Sequence, residues 1–518
     1  MRSMGTASVL NALIEEIPGA ELVRGDGETI IQQVEHDSRR VADGFLFVAV
    51  PGFTVDGHDF LIEALNAGAA AVVVERGRRG MWRHLPGTQA IVAVPDTRIA
   101  LAQAAAALHR HPSRELTVIG ITGTDGKTTT AYILTAILEV AGARVGRLGT
   151  VDAYVSGANF DSRSHRMTTP EAPEVQRLLR AMVDEGCGYA IVEATSHGLA
   201  LNRLDMVEFD ISVLTNLTGD HLDFHESFEA YREAKGKLFS ALDRTSERPG
   251  GPIRAAVANA DDPSASFLLG LTECQAVRYG LDNPNVDVTA RDIELHPDGS
   301  SFLLALGGAE VGTEIRMPAL FNVANALAAA GAAAAVGIEP EVIGRGIAAC
   351  QGVPGRMERI DMGQPFNVVV DYAHTGDSVR KVLAVLRELA DRKLIIVAGA
   401  AGERDPGRRF GVGRAVAEGA DFAVFTNEDP RGEVPAMIVR EIGRHAEEAG
   451  LVSDRDFIEV EDRREAIAAA LGRAEEGDSV VICGKGHERS IELGGASIPW
   501  DDREVTREEL AKLGYNGD

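Results

Sequence analysis

Short apolar runs rich in Val, Ile and Ala recur along this chain, separated by longer stretches of mixed character. They fall at 45–50, 70–74, 90–94, 116–121, 189–193, 211–215, 255–259, 367–371, 394–399, 422–426 and 479–483. Such runs are too short for helices, and their apolar character predicts buried strands. Stretches at 60–67, 99–107 and 128–140 instead carry apolar residues at helical spacing. Strand and helix in alternation predict an α/β fold, doubly wound, with ligands at the carboxyl ends of the strands. A chain of 518 residues is too long for one ordinary domain. His111-Pro112 reads as a linker. Three units are expected, at 1–112, 113–349 and 350–518, the last a small Rossmann-like domain with four strands.

One turn carries chemistry by itself. After the run at 116–121 the chain reads Gly123-Thr124-Asp125-Gly126-Lys127-Thr128-Thr129 and enters a helical pattern. The glycines let the backbone turn tightly and present successive N–H groups. Strand, glycine turn, Lys-Thr and helix together cradle a nucleoside triphosphate. The N–H groups and helix end hold phosphate oxygens, Lys127 neutralises the β- and γ-phosphates, and the Thr128 hydroxyl can ligate Mg²⁺. The two glycines stand closer than in the usual loop of this kind, which spaces them by four residues.

Other strand ends are polar as well. Glu193 ends one strand, and Thr218-Gly219-Asp220-His221-Leu222-Asp223 follows another. Both should face the crevice of the phosphate loop, where a carboxylate and an imidazole can reach a second Mg²⁺. In the third unit the polar ends are 371–374, 402–405, 427–431 and 484–488. One such end is ordinary; four along one edge predict a site. Asn322 and Asn325 open an Ala-rich helix and are expected to cap it.

Composition narrows the class. A formal charge of −26 argues against nucleic acid as the main partner and requires local cationic pockets for acidic substrates. Four scattered cysteines, with no CxxC pair, fit a reducing cytosol and neither a disulfide framework nor a zinc site. No apolar run reaches membrane-spanning length, and residues 1–20 lack a signal-peptide core. A soluble, cytoplasmic enzyme without membrane insertion is expected.

The phosphate loop resembles the G-T-N-G-K-[ST]-[ST] loop of the Mur ligase superfamily, with Asp125 in place of the usual Asn. Further matches run in order along nearly the whole chain: Asp37-Ser38-Arg39, Thr168-Thr169-Pro170, residues 193–199, 220–225 and 231–235, Asn322 and Asn325, residues 355–358, 371–374 and 484–488. The set is similar to the branch that adds the third residue to the UDP-N-acetylmuramoyl peptide. That resemblance implies a three-domain Mur ligase architecture with a central P-loop-type ATPase domain and a C-terminal Rossmann-like domain. It implies ATP and Mg²⁺ as cofactors, and UDP-N-acetylmuramoyl-dipeptide and a free diamino acid as partners. A monomer is expected.

By motif match, Ser38, Thr168, Thr169, Thr195 and Arg203 would hold the UDP-sugar peptide. Glu193 and His221 would ligate Mg²⁺, and Lys235 matches the lysine that becomes a carbamate and a further metal ligand. Asn325, Arg356 and Asp371 match nucleotide contacts. Lys127, His221 and Lys235 are the expected catalytic set. Arg404, the stretch Glu428-Asp429-Pro430-Arg431, Gly484 and Glu488 match amino-acid contacts. In the family an Asp-Asn-Pro-Arg stretch reads meso-diaminopimelate, its Arg pairing with the distal carboxylate. Arg431 is kept here, whereas Asp429 in place of Asn adds a charge that would favour the bare ammonium of L-ornithine or L-lysine. Meso-diaminopimelate is favoured. A folylpolyglutamate synthase, another Mur ligase or a non-catalytic nucleotide-binding scaffold are the alternatives.

Overall fold

A computed structural model describes residues 7–160, 167–219, 222–246, 251, 253–296 and 298–517. The chain divides into two compact units. The first holds Met1–Ile293, Phe302–Glu314 and Phe321–Cys350; the second holds Glu294–Ser301, Ile315–Leu320 and Gln351–Asp518.

Two large sheets build the first unit, beside a two-stranded ribbon of Ser8–Val9 and Ile30–Ile31. A five-stranded sheet takes the strands Glu21–Arg24, Ala90–Val94, Ala71–Glu75, Phe45–Val48 and Gln33–Glu35 in that order. Its inner strands are parallel and their side chains almost wholly buried, as their continuous apolar character requires. The second sheet has eleven strands. Its middle runs Val145–Leu148, Tyr189–Glu193, Thr117–Thr122, Ile211–Leu214, Ala255–Asn259 and Gln275–Tyr279, all parallel. The first of these in sequence, Thr117–Thr122, thus lies between the third and the fourth. Chain order reverses beside it, so its carboxyl end opens at a switch point of the sheet. The helix Lys127–Val140 starts there, and Leu320–Ala335 contributes a largely buried face to the same unit.

The second unit carries a six-stranded sheet in the order Glu358–Arg359, Asn367–Asp371, Ser479–Cys483, Leu394–Ala398, Phe422–Phe425 and Phe457–Glu459. Only the first is antiparallel to its neighbour. The four expected strands are its core, and two short edge strands extend them. Because the core strands are parallel, all four polar strand ends fall along one edge. Among the described residues no helix is long and apolar enough to cross a membrane. The four cysteines are free thiols.

Candidate functional site

The phosphate loop owes its shape to two glycines. Gly123 has φ +151°, and a Cβ there would stand 1.9 Å from the Thr215 hydroxyl. Gly126 has φ +83°, and its Cβ would stand 2.2 Å from Asn325 Oδ1. Any side chain would strain the backbone and collide with a packed neighbour. Asn322 and Asn325 do not cap their helix, contrary to expectation. The helix begins at Leu320, so both lie inside it and are buried, and Asn325 Nδ2 donates to Asn322 Oδ1 at 3.3 Å. Burial places Asn325 against the loop.

Positive charge gathers at this turn. Lys127 Nζ donates to the carbonyls of Gly123 and Thr124 at 3.0 and 2.9 Å. Lys235, only 2% exposed on the helix Phe228–Ser240, donates to the same Gly123 carbonyl at 2.6 Å. Its Nζ also lies 4.6 Å from the centre of the Tyr231 ring, whose hydroxyl meets Thr124 Oγ1 at 2.9 Å. Two ammonium groups on one carbonyl suit a polyanion.

Glu193 ends its strand 1% exposed. Its Oε2 accepts from the hydroxyls of Thr128 and Thr150, each at 2.9 Å, and its Oε1 accepts from the Thr150 N–H at 3.1 Å. The Thr169 hydroxyl donates to the Glu193 carbonyl at 2.8 Å and accepts from the Thr195 N–H and hydroxyl. The hydroxyls of Thr168 and Thr150 meet at 3.0 Å. Arg203 donates to the Thr169 carbonyl at 3.0 Å and pairs with Glu171 at 2.8 Å. Thr128, Glu193, Thr168, Thr169, Thr195 and Arg203 therefore form one hydrogen-bonded patch beside the loop. Ser38 stands apart, buried in the first sheet's neighbourhood, where its hydroxyl donates to Glu63. Asp125 is exposed and Thr129 half-buried on the loop. His221 and Asp220 lie outside the described residues.

The second unit brings together the other expected residues. Asp371 is buried and accepts from the N–H groups of Met357 and Ala373 at 2.8 and 2.7 Å. Burial raises its pKa despite those bonds and the nearby Arg356 guanidinium. Arg356 lies 4.5 Å over the Tyr372 ring. Gly402 N–H donates to the Asp429 carbonyl, and a Cβ on Gly402 would touch the Pro430 carbonyl oxygen at 2.1 Å. That contact sets the Arg404 loop against the Glu428-Asp429-Pro430-Arg431 loop. Arg404 is depressed in pKa, first by desolvation and then by the nearby positive charges of Arg431 and Arg408. No carboxylate among the described residues forms an ion pair with the Arg404 or Arg431 side chain.

Asp429 is already engaged. Its Oδ1 accepts from Lys485 Nζ at 2.8 Å and from the Glu492 N–H at 2.9 Å. Lys485, 1% exposed, also pairs with Glu488 at 2.5 Å. Glu428 is buried with its Oε2 unpartnered and close to Gly484, and burial pushes its pKa up to about 7.

Three comparisons with known proteins point to one family. Residues 30–111 match the family description "Mur ligase family, catalytic domain", residues 121–333 the "Mur ligase middle domain" and residues 355–486 the "Mur ligase, glutamate ligase domain". The chain is 41% identical over 500 residues to a UDP-N-acetylmuramoyl-L-alanyl-D-glutamate–2,6-diaminopimelate ligase of Geobacillus thermodenitrificans, covering 96% of this chain and 98% of that one. The chain belongs to the Mur ligase family. It is 42% identical over 493 residues to a UDP-N-acetylmuramyl-tripeptide synthetase of a Roseiflexus species, covering 94% and 96% of the two chains. A solved 2,6-diaminopimelate ligase aligns with TM-score 0.66 at 28% identity over 98% of this chain and 100% of that one. A D-alanyl-D-alanyl-adding ligase of Acinetobacter baumannii, at 21% identity and TM-score 0.65, shares the fold and covers 99% and 100%. This Mur ligase is an ATP-dependent ligase of peptidoglycan-precursor synthesis, with the family's three-domain architecture.

Sequence reasoning passed over several residues that hold the candidate site together. Thr150 carries no motif of its own, yet four of its hydrogen bonds tie Glu193, Thr128 and Thr168 together. Lys485 was legible as part of Gly-Lys-Gly-His-Glu, but not as the partner of Asp429. Arg463, 1% exposed, braces two strand ends through Asp502 and the carbonyls of Asn427 and Cys483. Nothing at 463 in the sequence signals that.

Proposed function

We propose that this Mur ligase joins meso-diaminopimelate to UDP-N-acetylmuramoyl-L-alanyl-D-glutamate as the third residue of the peptide, with cleavage of ATP to ADP and phosphate. The acceptor and the amino acid come from the names of relatives about 40% identical across the full chain. One observation on this chain carries the choice of amino acid. Asp429, the residue that seemed to favour a bare ammonium, is already ion-paired with Lys485 at 2.8 Å, whereas Arg431 repels an Arg404 that has no carboxylate ion-pair partner among the described residues. A distal carboxylate relieves that repulsion and can pair bidentately with a guanidinium; an ammonium would deepen it.

The chemistry follows from what a carboxylate lacks. Oxide is a prohibitive leaving group, so a free carboxylate of the acceptor attacks the γ-phosphate and becomes an acyl phosphate. ADP departs. The amine then attacks the acyl carbon, phosphate leaves, the amine loses a proton, and an amide remains. Lys127 and the N–H groups of residues 123–129 bind and orient the phosphates. Asn325 supports the turn at Gly126. Thr168, Thr169, Thr195 and Arg203 hold the acceptor, with Ser38 toward its uridine. Arg356 and Asp371 serve the nucleotide, and Arg404, Arg431, Gly484 and Glu488 the amino acid.

The hydroxyl of Thr128 beside the Glu193 carboxylate is a hard-oxygen pair that fits Mg²⁺, which habitually takes one or two carboxylates and completes its shell with phosphate oxygens and water. Bound there, the ion would offset phosphate charge. His221 belongs to the same proposal. Lys235 is a donor to Gly123 as placed; as a carbamate it would be an anion suited to a metal and would have to release that carbonyl. The domain limits 1–112, 113–349 and 350–518, a monomeric state and a cytoplasmic location complete the reading.

An amino-acid panel tests it. With ATP and the UDP-dipeptide, meso-diaminopimelate should be used with kcat/KM about 100-fold above L-lysine and L-ornithine. Arg431→Ala should lower that value by about 100-fold, the size of a lost charge-assisted pair, and leave nucleotide affinity nearly unchanged. Preference for L-ornithine or L-lysine by the unmodified enzyme would reject the amino-acid choice.

A further inference from the structure

Thr150 sits where two ligand patches meet. It follows the strand Val145–Leu148 by one turn, after Gly149. A Cβ on Gly149 would stand 2.0 Å from Glu193 Oε1, so the absence of a side chain there lets the Thr150 backbone close on that carboxylate. The Thr150 N–H then donates to Oε1 at 3.1 Å and its hydroxyl to Oε2 at 2.9 Å. A hydroxyl has one proton and two lone pairs. With its proton on Glu193, Thr150 can meet Thr168 Oγ1, 3.0 Å away, only by accepting. The Thr168 proton is thereby committed to Thr150, and the chain runs in one direction: Thr168 to Thr150 to Glu193. The Thr128 hydroxyl, at the first turn of the loop helix, ends on the same Oε2 at 2.9 Å.

We infer that Thr150 is a positioning residue through which acceptor binding at Thr168 strengthens nucleotide binding at the loop. The inference rests on the acceptor and nucleotide roles proposed above. Thr150 Oγ1 accepts from two donors, Thr168 at 3.0 Å and, more weakly, Thr128 at 3.4 Å, so both its lone pairs are in use. An acceptor oxygen that receives the Thr168 proton removes the nearer donor. Thr150 then accepts more fully from the Thr128 hydroxyl, whose proton is otherwise shared with Glu193 Oε2 at 2.9 Å. Glu193 sheds one donor and turns more of its charge toward the cation that accompanies the triphosphate. The effect is reciprocal, because linkage requires the nucleotide to tighten acceptor binding by the same factor.

Calorimetric titration of the full chain with a non-hydrolysable ATP analogue and Mg²⁺, alone and with saturating UDP-dipeptide, reads the coupling directly. The acceptor should tighten the analogue about fivefold or more. Thr150→Val keeps the shape and removes the hydroxyl, and the ratio should fall toward one. Thr150→Ser restores the hydroxyl and should restore the ratio. A ratio of one in the unmodified protein, or an unchanged ratio in Thr150→Val, overturns the inference while leaving the ligase reading intact. Loss of the ratio in both variants would mark Thr150 as a packing residue and overturn it too. Failure of the unmodified protein to bind either ligand would overturn the ligase reading, and the coupling with it.

Discussion

Asp429 shows how one residue can point the wrong way until its neighbours are known. Read along the chain it adds a negative charge to an amino-acid pocket. In the fold its oxygen is taken up by Lys485 and by the Glu492 N–H. Lys485→Met would strand Asp429 and Glu488 beside the buried Glu428. We expect a loss of about 2–3 kcal/mol in urea unfolding, below the range for fully buried pairs because Glu488 is partly exposed. Asp429→Asn keeps an acceptor for both donors and leaves Lys485 its bond to Glu488, so it should cost under about 1 kcal/mol. Equal losses in the two variants would contradict this picture. Glu428 gives a pH signature. Its carboxyl titrates near 7 in the fold, against 4.5 for an unperturbed glutamate. Between those values the unfolded chain gives up the proton and the folded chain keeps it, so stability falls as pH rises from about 4.5 to 7. The contribution approaches about 3 kcal/mol and levels off above pH 7. Glu428→Gln should flatten this slope in ligand-free protein. An unaltered slope would show that Glu428 is not the group responsible.

At the scale of elements, the fold was legible wherever a strand is covered on both faces. The strands Ala90–Val94, Tyr189–Glu193, Ala255–Asn259, Asn367–Asp371 and Ser479–Cys483 have the limits their apolar runs predict. Val145–Leu148 was missed because Arg147 interrupts the run. That arginine is buried all the same, bound by both oxygens of Asp152 and lying 3.6 Å over the Tyr132 ring. The ribbon from Val288 to Ile315 was missed because its faces are partly wet and its pattern mixed. The phosphate loop was legible from its glycines, but the reason for Gly126 was not. Asn325, two hundred residues downstream, fills the space a side chain would need. Gly126→Ala should therefore lower nucleotide affinity by at least about tenfold, through strain at φ +83° together with displacement of Asn325. The N-terminal sheet should melt unchanged. Undiminished binding in a titration with an ATP analogue would contradict the assignment of this turn to the triphosphate.

For the molecule as a whole, function requires parts that the chain keeps far apart in sequence. The loop, Glu193 and the threonine patch belong to one compact unit. Arg356, Asp371 and the arginines around Arg431 belong to the other. Motif order pointed to the family, since the Mur ligase models match stretches spread over residues 30–486. It could not tell which charges cancel, because Asp429 and Lys485 meet only through folding. The central claim is that a carboxylate is activated by phosphoryl transfer and then captured by an amine. Oxygen labelling tests it most directly. The acceptor is prepared with ¹⁸O in its free carboxylate and turned over with ATP and meso-diaminopimelate, and the inorganic phosphate is analysed by mass spectrometry. The account predicts one ¹⁸O atom in each phosphate released and the other in the new amide. Unlabelled phosphate, or amide formed without ATP, would contradict it.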